Sequence, residues 1–305
     1  MTTTALTRAT LPHRKNELYR YTNLSALLKN YIEPSFIPLV PSIVAGADVC
    51  SPHVQGRTIE MTIPRDAHVV AMDDMTDNAH QQWTSRFLRF VIEDGATFTL
   101  IRPMAHKGAV TDQIHVDVGS RAQFNLTQIH TGNNTARTDV MVYLNHESCA
   151  DITALNILSY AGHGDLTTQI YHRADSSTSR QTIRNVVSGS SRAVYQGKVR
   201  VDRDTKKATA QQSCKSILLS NAAEADTKPE FEIYADDVQC THGVTNGTLD
   251  SDSLFYAHAR GIPPDMAQQM LIRAFILADL PPYIPDDMIQ KLTPQIDNAL
   301  IEVTS

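Results

Sequence analysis

The chain has 305 residues, of which 42% are hydrophobic and 20% charged, the proportions of a soluble globular protein rather than a disordered or fibrous one. Its formal net charge of -6 at pH 7 gives no overall basic character of the kind that nucleic-acid binding requires. The sequence has no apolar run long enough to span a membrane, and its first residues lack the apolar core of a secretory signal. We therefore expect a cytoplasmic protein whose partners are neither nucleic acid nor membrane.

Cysteine spacing and the absence of a phosphate-binding loop narrow the chemistry further. The four cysteines are far apart and form no Cys-x-x-Cys pair, so neither a disulfide framework nor a complete zinc knuckle is encoded. The pattern Gly-x-x-x-x-Gly-Lys does not occur. Nucleotide hydrolysis, if the protein depends on it, must therefore belong to a partner.

The first region, residues 1–95, is predicted to be helical and mixed. A helix is expected from Glu17, because apolar residues recur at three- and four-residue steps at Leu18, Tyr21, Leu24, Leu28 and Tyr31. Pro34 and Pro38 are expected to end it. A second helix is predicted over residues 80–90.

Residues 96–249 are predicted to form a β-rich core. Apolar residues there alternate with polar ones, as at Ile114, Val116 and Val118, and strand starts recur roughly every 13 to 16 residues with turn residues between them. Strands at this spacing without intervening helices exclude a doubly wound α/β sheet. A sandwich, a barrel and a β-helix all remain compatible with the pattern.

The last region, residues 250–305, is predicted to be helical. Asp250 or Ser251 can cap a first helix that Gly261 ends. A second helix is expected to start at residues 263–264, since proline suits the first helical position. The final amphipathic segment is predicted to form two short helices, because Pro294 interrupts it.

Several sequence blocks follow one another in a fixed order between Tyr195 and Phe275. They include the ranges 197–201 (GKVRV), 229–243 (PEFEIYADDVQCTHG) and 260–263 (RGIP). This ordered set resembles the C-terminal core of the SufB/SufD family. Several blocks over about a quarter of the chain are far more specific than a single short motif.

The residues around His242 resemble the SufD-like branch of that family. SufD-like sequences carry Cys-Ser-His-Gly-Ala followed by a glycine, which residues 240–244 and Gly247 resemble, whereas SufB-like sequences usually carry His-Glu-Ala from the position of His242. Val244 and Asn246 depart from the smaller or apolar residues of the pattern. The chain is also shorter than is usual for the family, and we expect its N-terminal or middle region to be trimmed.

The resemblance implies what periodicity leaves open. It implies a mainly β protein, with a right-handed parallel β-helix core flanked by helical N-terminal and C-terminal parts. It also implies a non-catalytic scaffold subunit that pairs with a SufB-like subunit and docks a SufC-like ABC-type ATPase, in a complex that builds nascent iron–sulfur clusters. No permanently bound cofactor is expected, only transient iron or a transient cluster.

Cys240 and His242 are the candidate ligands for that iron or cluster. A thiolate and an imidazole both suit iron, and a Cys-x-His spacing on a strand directs both side chains to the same side. Since a cluster needs about four protein ligands, a partner chain must complete the site. The alternative interpretation is that Cys240 is a small buried apolar residue and His242 a hydrogen-bonded loop residue.

Two candidate interfaces accompany this site. The last strands are predicted to form an edge that pairs with a SufB-like subunit, or with a second copy in a homodimer of the isolated chain, through Phe231, Ile233, Ala235 and Val238. The helix over residues 263–280 is predicted to dock the ATPase through adaptable apolar side chains, namely Met266, Met270, Phe275 and Ile276. For most of this second group, packing against the final helical segment is the alternative.

Two other functions compete with the scaffold interpretation. A β-helix can host a polysaccharide lyase or hydrolase, since a fold does not fix a function, but such an enzyme needs a groove lined with carboxylates and usually an export signal. A stand-alone homodimer that carries iron is the third possibility, and it predicts metal binding without any partner.

Overall fold

The chain winds into a parallel β-solenoid with helices at both ends. The computed structural model describes residues 5–12, 15–31, 41–46, 50–75, 82–105 and 108–304. The strands are β1 Ser42–Ala45, β2 His53–Gln55, β3 Thr58–Ile63, β4 His68–Met72, β5 Trp83–Ile92, β6 Thr97–Met104, β7 Ala109–Val118, β8 Gln123–Gly132, β9 Thr135–Leu144, β10 Cys149–Leu158, β11 His163–His172, β12 Thr178–Val187, β13 Arg192–Val201, β14 Ala208–Leu218, β15 Glu224–Ile233 and β16 Val238–Gly247.

Successive strands alternate between two stacked sheets. The odd-numbered strands from β3 to β15 form one parallel sheet and the even-numbered strands from β4 to β16 form the other. Each strand therefore pairs with the strand one turn earlier and the strand one turn later. This arrangement confirms the parallel β-helix that the family resemblance implies. Its first parallel strand begins at Thr58, well before residue 96, where the core was predicted to start.

The interior of the solenoid is filled by inward-facing side chains that stack from turn to turn. Phe90 and Phe98 lie 4.8 Å apart between ring centroids, and Phe98 lies 6.1 Å from Phe124. All three rings are fully buried. Burying an aromatic side chain of this kind stabilises the fold by roughly 1.5–3 kcal/mol, so these stacks supply much of the driving force for winding the chain.

At one corner of the solenoid, the same left-handed backbone conformation recurs in successive turns. Arg121, Glu147 and Ser176 occupy this corner in successive turns with positive φ angles of 56°, 55° and 59°. Left-handed backbone costs an L-residue about 1–2 kcal/mol. The corners also stack through hydrogen bonds, since the Arg121 and Glu147 amides donate to the carbonyls of His146 and Asp175 at 2.9 and 3.0 Å. The stacked bonds offset the strain in each turn.

The helix predicted over residues 80–90 is wrong. Residues 80–81 lie outside the described residues, and the rest belongs to strand β5, which pairs in parallel with β3 and β7. Apolar side chains occur on both faces of this strand, with Leu88 and Phe90 buried on one face and Phe87 on the other. A strand with apolar residues on both faces lacks the period-two signal, so its sequence resembles a helical pattern.

The helix predicted from Glu17 is broken in the structure. A short 3-10 turn covers Glu17–Tyr19 and a single α-helical turn, α1, covers Leu24–Leu27. The 3-10 turn is held by the odd-numbered sheet instead, because the Leu18 carbonyl accepts hydrogen bonds from Arg137 Nη2 at 2.9 Å and Gln196 Nε2 at 3.0 Å. The predicted helix ends at Pro34 and Pro38 lie outside the described residues.

Three helices follow the solenoid, namely α2 Ser251–Ala259, α3 Pro264–Leu277 and α4 Asp286–Thr304. The predicted cap of α2 is confirmed, since Asp250 Oδ2 accepts the Ser253 amide at 2.8 Å. The predicted break at Pro294 is wrong, because α4 continues through it. Its buried stripe, which includes Leu292 and Ile296, packs with α3 against the even-numbered sheet, and that packing outweighs the hydrogen bond that proline removes.

Among the described residues, no helix is both long and apolar enough to cross a membrane.

Candidate functional site

The last turn of the solenoid has two uncovered edges. Among the described strands, β15 pairs only with β13 and β16 pairs only with β14, so each lies at the end of its sheet. Both strands are ten residues long. A long edge strand presents a row of unpaired backbone amides and carbonyls that another chain can bind.

The inward-facing side chains of this turn are also incompletely covered. In the preceding turn Val199 and Val201 are fully buried. One turn later their neighbours in β15 are Phe231, which is half-buried, and Ile233, which is 41% exposed. Val244 in β16 is likewise 41% exposed although it sits directly above the buried Cys214. The hydrophobic interior is therefore open at its C-terminal end.

The residues predicted to pair with another chain all lie at this open end. Phe231, Ala235 and Val238 are half-buried and pack against the last layer of the interior, whereas Ile233 is exposed. Phe231 and Ile233 lie on β15 and Val238 lies on β16, the last strands of the two sheets, whereas Ala235 lies in the loop between them. The structure of a single chain does not contain the pairing itself, which stays a prediction.

Cys240 and His242 lie on strand β16, next to Ala210 and Gln212 of strand β14. As alternate residues of one strand they face the same side, as the Cys-x-His spacing predicts. Cys240 is half-buried, and burial raises the pKa of its thiol, with a weaker opposing effect from the Ala210 backbone. A metal ion must therefore displace the thiol proton before it binds this sulfur.

His242 is exposed at the rim of the open end. Its ring lies 5.1 Å from that of Phe231, with an angle of 40° between the two planes. Phe231 thus packs against the imidazole from across the interior. His242 is thus accessible from outside, and it lies on a strand rather than in a loop.

Within the described part of the chain, no group of three or more His, Cys, Asp or Glu side chains is placed to hold a metal ion. Cys240 and His242 therefore supply at most two ligands, and Asp236 and Asp237 are exposed beyond the end of β15. Two ligands are too few for a cluster, so a complete site needs groups from another molecule.

Two glycines of β16 have no role that the chain itself explains. A Cβ atom added at Gly243 or at Gly247 would meet no heavy atom within 4 Å, and neither residue adopts a positive φ angle. Glycine within a strand weakens it, and often marks a place where another backbone approaches closely. Open space beside both residues fits that explanation.

The predicted docking residues of α3 divide into two groups. Met266 and Met270 are 55% and 53% exposed, and Phe275 is half-buried. Ile276 is fully buried among the side chains that join the helices to the even-numbered sheet. The prediction that Ile276 is available to a partner is therefore wrong, because its position on α3 faces the sheet.

Sequence reasoning missed the surface of α2. This helix has no buried residue, and it carries Phe255 at 74% and Tyr256 at 61% exposure. Beside it, a cavity of about 290 Å³ is lined by residues of β14, β16 and α3 that include Ile217, Leu271 and Phe275. The available signal was a pair of adjacent aromatic residues in a helix whose other positions are mostly small or polar.

The fold and its open end define a class, a parallel β-solenoid subunit whose interior is uncovered at the C-terminal side. A family model described as the SufBD core domain of the SUF system for iron–sulfur cluster assembly matches residues 51–275. The match covers well over half of the chain. The chain therefore belongs to the SufB/SufD family of iron–sulfur cluster assembly proteins.

Individual relatives agree with this assignment. The chain is 42% identical to the iron–sulfur cluster assembly protein SufD of Escherichia coli over 111 residues, which are 36% of this chain and 26% of that protein. It is 30% identical to the chloroplastic protein ABCI7 of Arabidopsis thaliana over 197 residues, or 63% of this chain and 42% of the relative. A SufBD family protein of Synechocystis sp. is 29% identical over 208 residues, which are 66% of this chain and 45% of that protein.

The chain thus matches less than half the length of each of these relatives. The family assignment favours iron–sulfur cluster assembly over the polysaccharide lyase or hydrolase that a β-helix could also host.

Proposed function

We propose that this protein is a non-catalytic scaffold subunit for iron–sulfur cluster assembly, which pairs with a SufB-like subunit through the open end of its solenoid. The observation that carries the proposal is the last turn, where two ten-residue edges and an uncovered interior coincide. A second β-solenoid can extend both sheets at once and cover the apolar side chains. The same contact supplies backbone hydrogen bonds and hydrophobic burial.

Iron or a nascent cluster would be the cargo of this interface. His242 would be the main ligand from this chain, with Cys240 beside it after loss of its thiol proton, and the partner would supply the remaining ligands. Support comes from the exposed imidazole on the rim and from the absence of a third ligand nearby within the described residues. A shared site would form only when the two subunits are paired.

A SufC-like ATPase would dock on the C-terminal helices. Met266 and Met270 of α3 and Phe255 and Tyr256 of α2 are exposed apolar side chains, and methionine adapts well to a partner's groove. Nucleotide hydrolysis by the ATPase would move these helices. Since the cavity between α3 and β16 includes Phe275 on one wall and Gly247 on another, that motion would reach the strand that carries His242.

The ligand role of His242 can be tested in the assembled complex. His242→Ala should abolish bound iron and sulfide while leaving subunit pairing and ATP hydrolysis unchanged, because the exposed imidazole has little part in folding. Iron and acid-labile sulfide per complex are the measurements. His53→Ala, an exposed histidine on β2 at the opposite end, is the matched control. A normal cluster content in His242→Ala would remove His242 from the site.

ATPase docking can be tested with charge substitutions on exposed apolar residues. Met270→Glu should weaken binding of the ATPase by at least about tenfold without a change in melting temperature, because a buried unpaired charge is costly at an interface. Ile301→Glu on α4, with a similar exposure of 54%, is the control that should bind normally. Equal binding by both variants would place the ATPase elsewhere.

A homodimeric iron carrier remains the second candidate, and the same open end supports it, because two copies could cover each other's edges. Sedimentation of the purified chain and its iron content without partners decide between the two.

A further inference from the structure

One buried side chain near the open end has no partner. Gln212 on β14 is only 2% exposed, and neither its Nε2 nor its Oε1 atom has a hydrogen-bond partner among the residues that the structure describes. Buried amides are nearly always hydrogen-bonded in folded proteins, since leaving one unpaired is costly. An orphaned amide at this place therefore requires an explanation.

The position of Gln212 provides one. Gln212 and His242 are directly paired in the register of β14 and β16, and both belong to the set of alternate residues that faces the interior. Neighbouring strands lie about 4.8 Å apart, a distance that a glutamine side chain spans. Gln212 therefore lies directly beneath His242 in the stack of interior positions, one strand spacing away.

A glycine on the opposite sheet leaves room for the Gln212 amide. A Cβ atom at Gly197, on the opposite sheet, would lie 2.8 Å from Gln212 Nε2 and 2.1 Å from the Tyr195 hydroxyl. Glycine at position 197 therefore makes room for both groups. The Tyr195 hydroxyl donates to Gln181 Oε1 at 3.0 Å, and it makes no hydrogen bond to Gln212.

We propose that Gln212 is a positioning residue for His242: when iron binds in the shared site the imidazole turns toward Gln212, whose Oε1 has no partner among the described residues, and this oxygen then accepts the N–H of one imidazole nitrogen and holds the other nitrogen toward the iron. Histidine ligands usually donate their second ring N–H to such a group, and removal of the group lowers metal affinity about 10- to 100-fold. This proposal rests on the proposed role of His242 as a ligand.

The test compares Fe(II) binding by assembled complexes under anaerobic conditions, together with the melting temperature of each variant. Gln212→Leu removes the acceptor but keeps a side chain of similar size. Its iron affinity should fall about 10- to 100-fold, while its melting temperature stays equal or rises because an unpaired amide has gone. Gln211→Leu, on the exposed face of the same strand, should match the parent in both measurements.

Rescue separates positioning from packing. Gln212→Glu retains an acceptor oxygen and should bind Fe(II) within a few-fold of the parent; if this variant does not fold, the leucine variant alone decides. Parental iron affinity in Gln212→Leu, or a loss of affinity that parallels a loss of stability, overturns the proposal. His242→Ala is measured alongside. If it too binds iron normally, the proposed ligand role fails as a whole, whereas loss of binding in His242→Ala with normal binding in Gln212→Leu refutes only the role of Gln212.

Discussion

The two sheets of the solenoid finish differently at its N-terminal and C-terminal ends. At the N-terminal end, β1 pairs antiparallel with β4 and β2 pairs antiparallel with β3, so the parallel sheets finish in edges of only four and three residues. At the C-terminal end, the sheets finish in two parallel edges of ten residues each. Short, irregular edges are a common protection against pairing, whereas long regular ones invite it.

The burial of the interior side chains also differs between the two ends. In the first turns, Arg86 binds Asp73 at 2.7 Å and Asp112 at 2.6 Å, and all three side chains are at most 1% exposed. In the last turn, the inward-facing Ile233 and Val244 remain 41% exposed. The difference teaches that this chain protects the sheet edges at one end and leaves long edges and apolar side chains open at the other, which is where the proposed pairing places a partner.

Breaking the buried ion network should have the largest effect on stability. Arg86→Met leaves Asp73 and Asp112 with fewer cationic partners in a dry interior, and losing one member of such a network costs about 3–5 kcal/mol. Arg89→Met is the control, because Arg89 is 48% exposed and its carboxylate partners lie 3.8 and 3.9 Å away; it should cost about 1 kcal/mol or less. Urea unfolding of both variants measures the difference, and equal costs would contradict the account of the closed end.

The free energy of unfolding should depend on pH because of His172, a buried histidine on strand β11. His172 is fully buried between Ser177 and Ser179, both at 2.8 Å, and burial lowers its pKa from 6.5 to about 4. The unfolded chain therefore binds a proton at this histidine more readily than the folded chain does. The contribution of His172 to the free energy of unfolding is fully present above pH 6.5 and is lost as the pH drops toward 4.

Replacing this histidine should remove part of that slope. His172→Gln keeps hydrogen-bonding capacity for the serines but cannot titrate, and its unfolding free energy should fall less between pH 6.5 and pH 4, by roughly 1 kcal/mol or more. Unfolding at several pH values gives the slope. An unchanged slope would mean that His172 is not held neutral by burial.

How much of this could be predicted from sequence depends on which residues carried the signal. Alternation at Ile114, Val116 and Val118 predicted strands, but only the family resemblance selected a β-helix among three compatible architectures. Strand β5 was missed because apolar residues occur on both of its faces. Asp250 as a cap depends on local geometry alone, and the prediction held.

Part of the candidate site could also be predicted from local sequence patterns. Cys240 and His242 lie close in the sequence, so their shared face followed from strand periodicity. Gln212 lies one turn earlier, and its position beneath His242 depends on the exact register between β14 and β16, which no local pattern encodes. The exposure of Met270 and the burial of Ile276 likewise depend on how α3 rests on the sheet.

The central claim is that the C-terminal end of the solenoid is the pairing surface, and one comparison tests it most directly. Val244 at the open end and Val54 on β2 at the closed end have similar exposures of 41% and 37%. Binding of the SufB-like subunit is measured by titration for Val244→Asp and Val54→Asp, with melting temperatures as the check on folding. Val244→Asp should weaken pairing by at least about tenfold, since a charge would be buried without a partner, while Val54→Asp should bind as the parent does. Normal binding by Val244→Asp, or equal loss in both variants, would contradict the account.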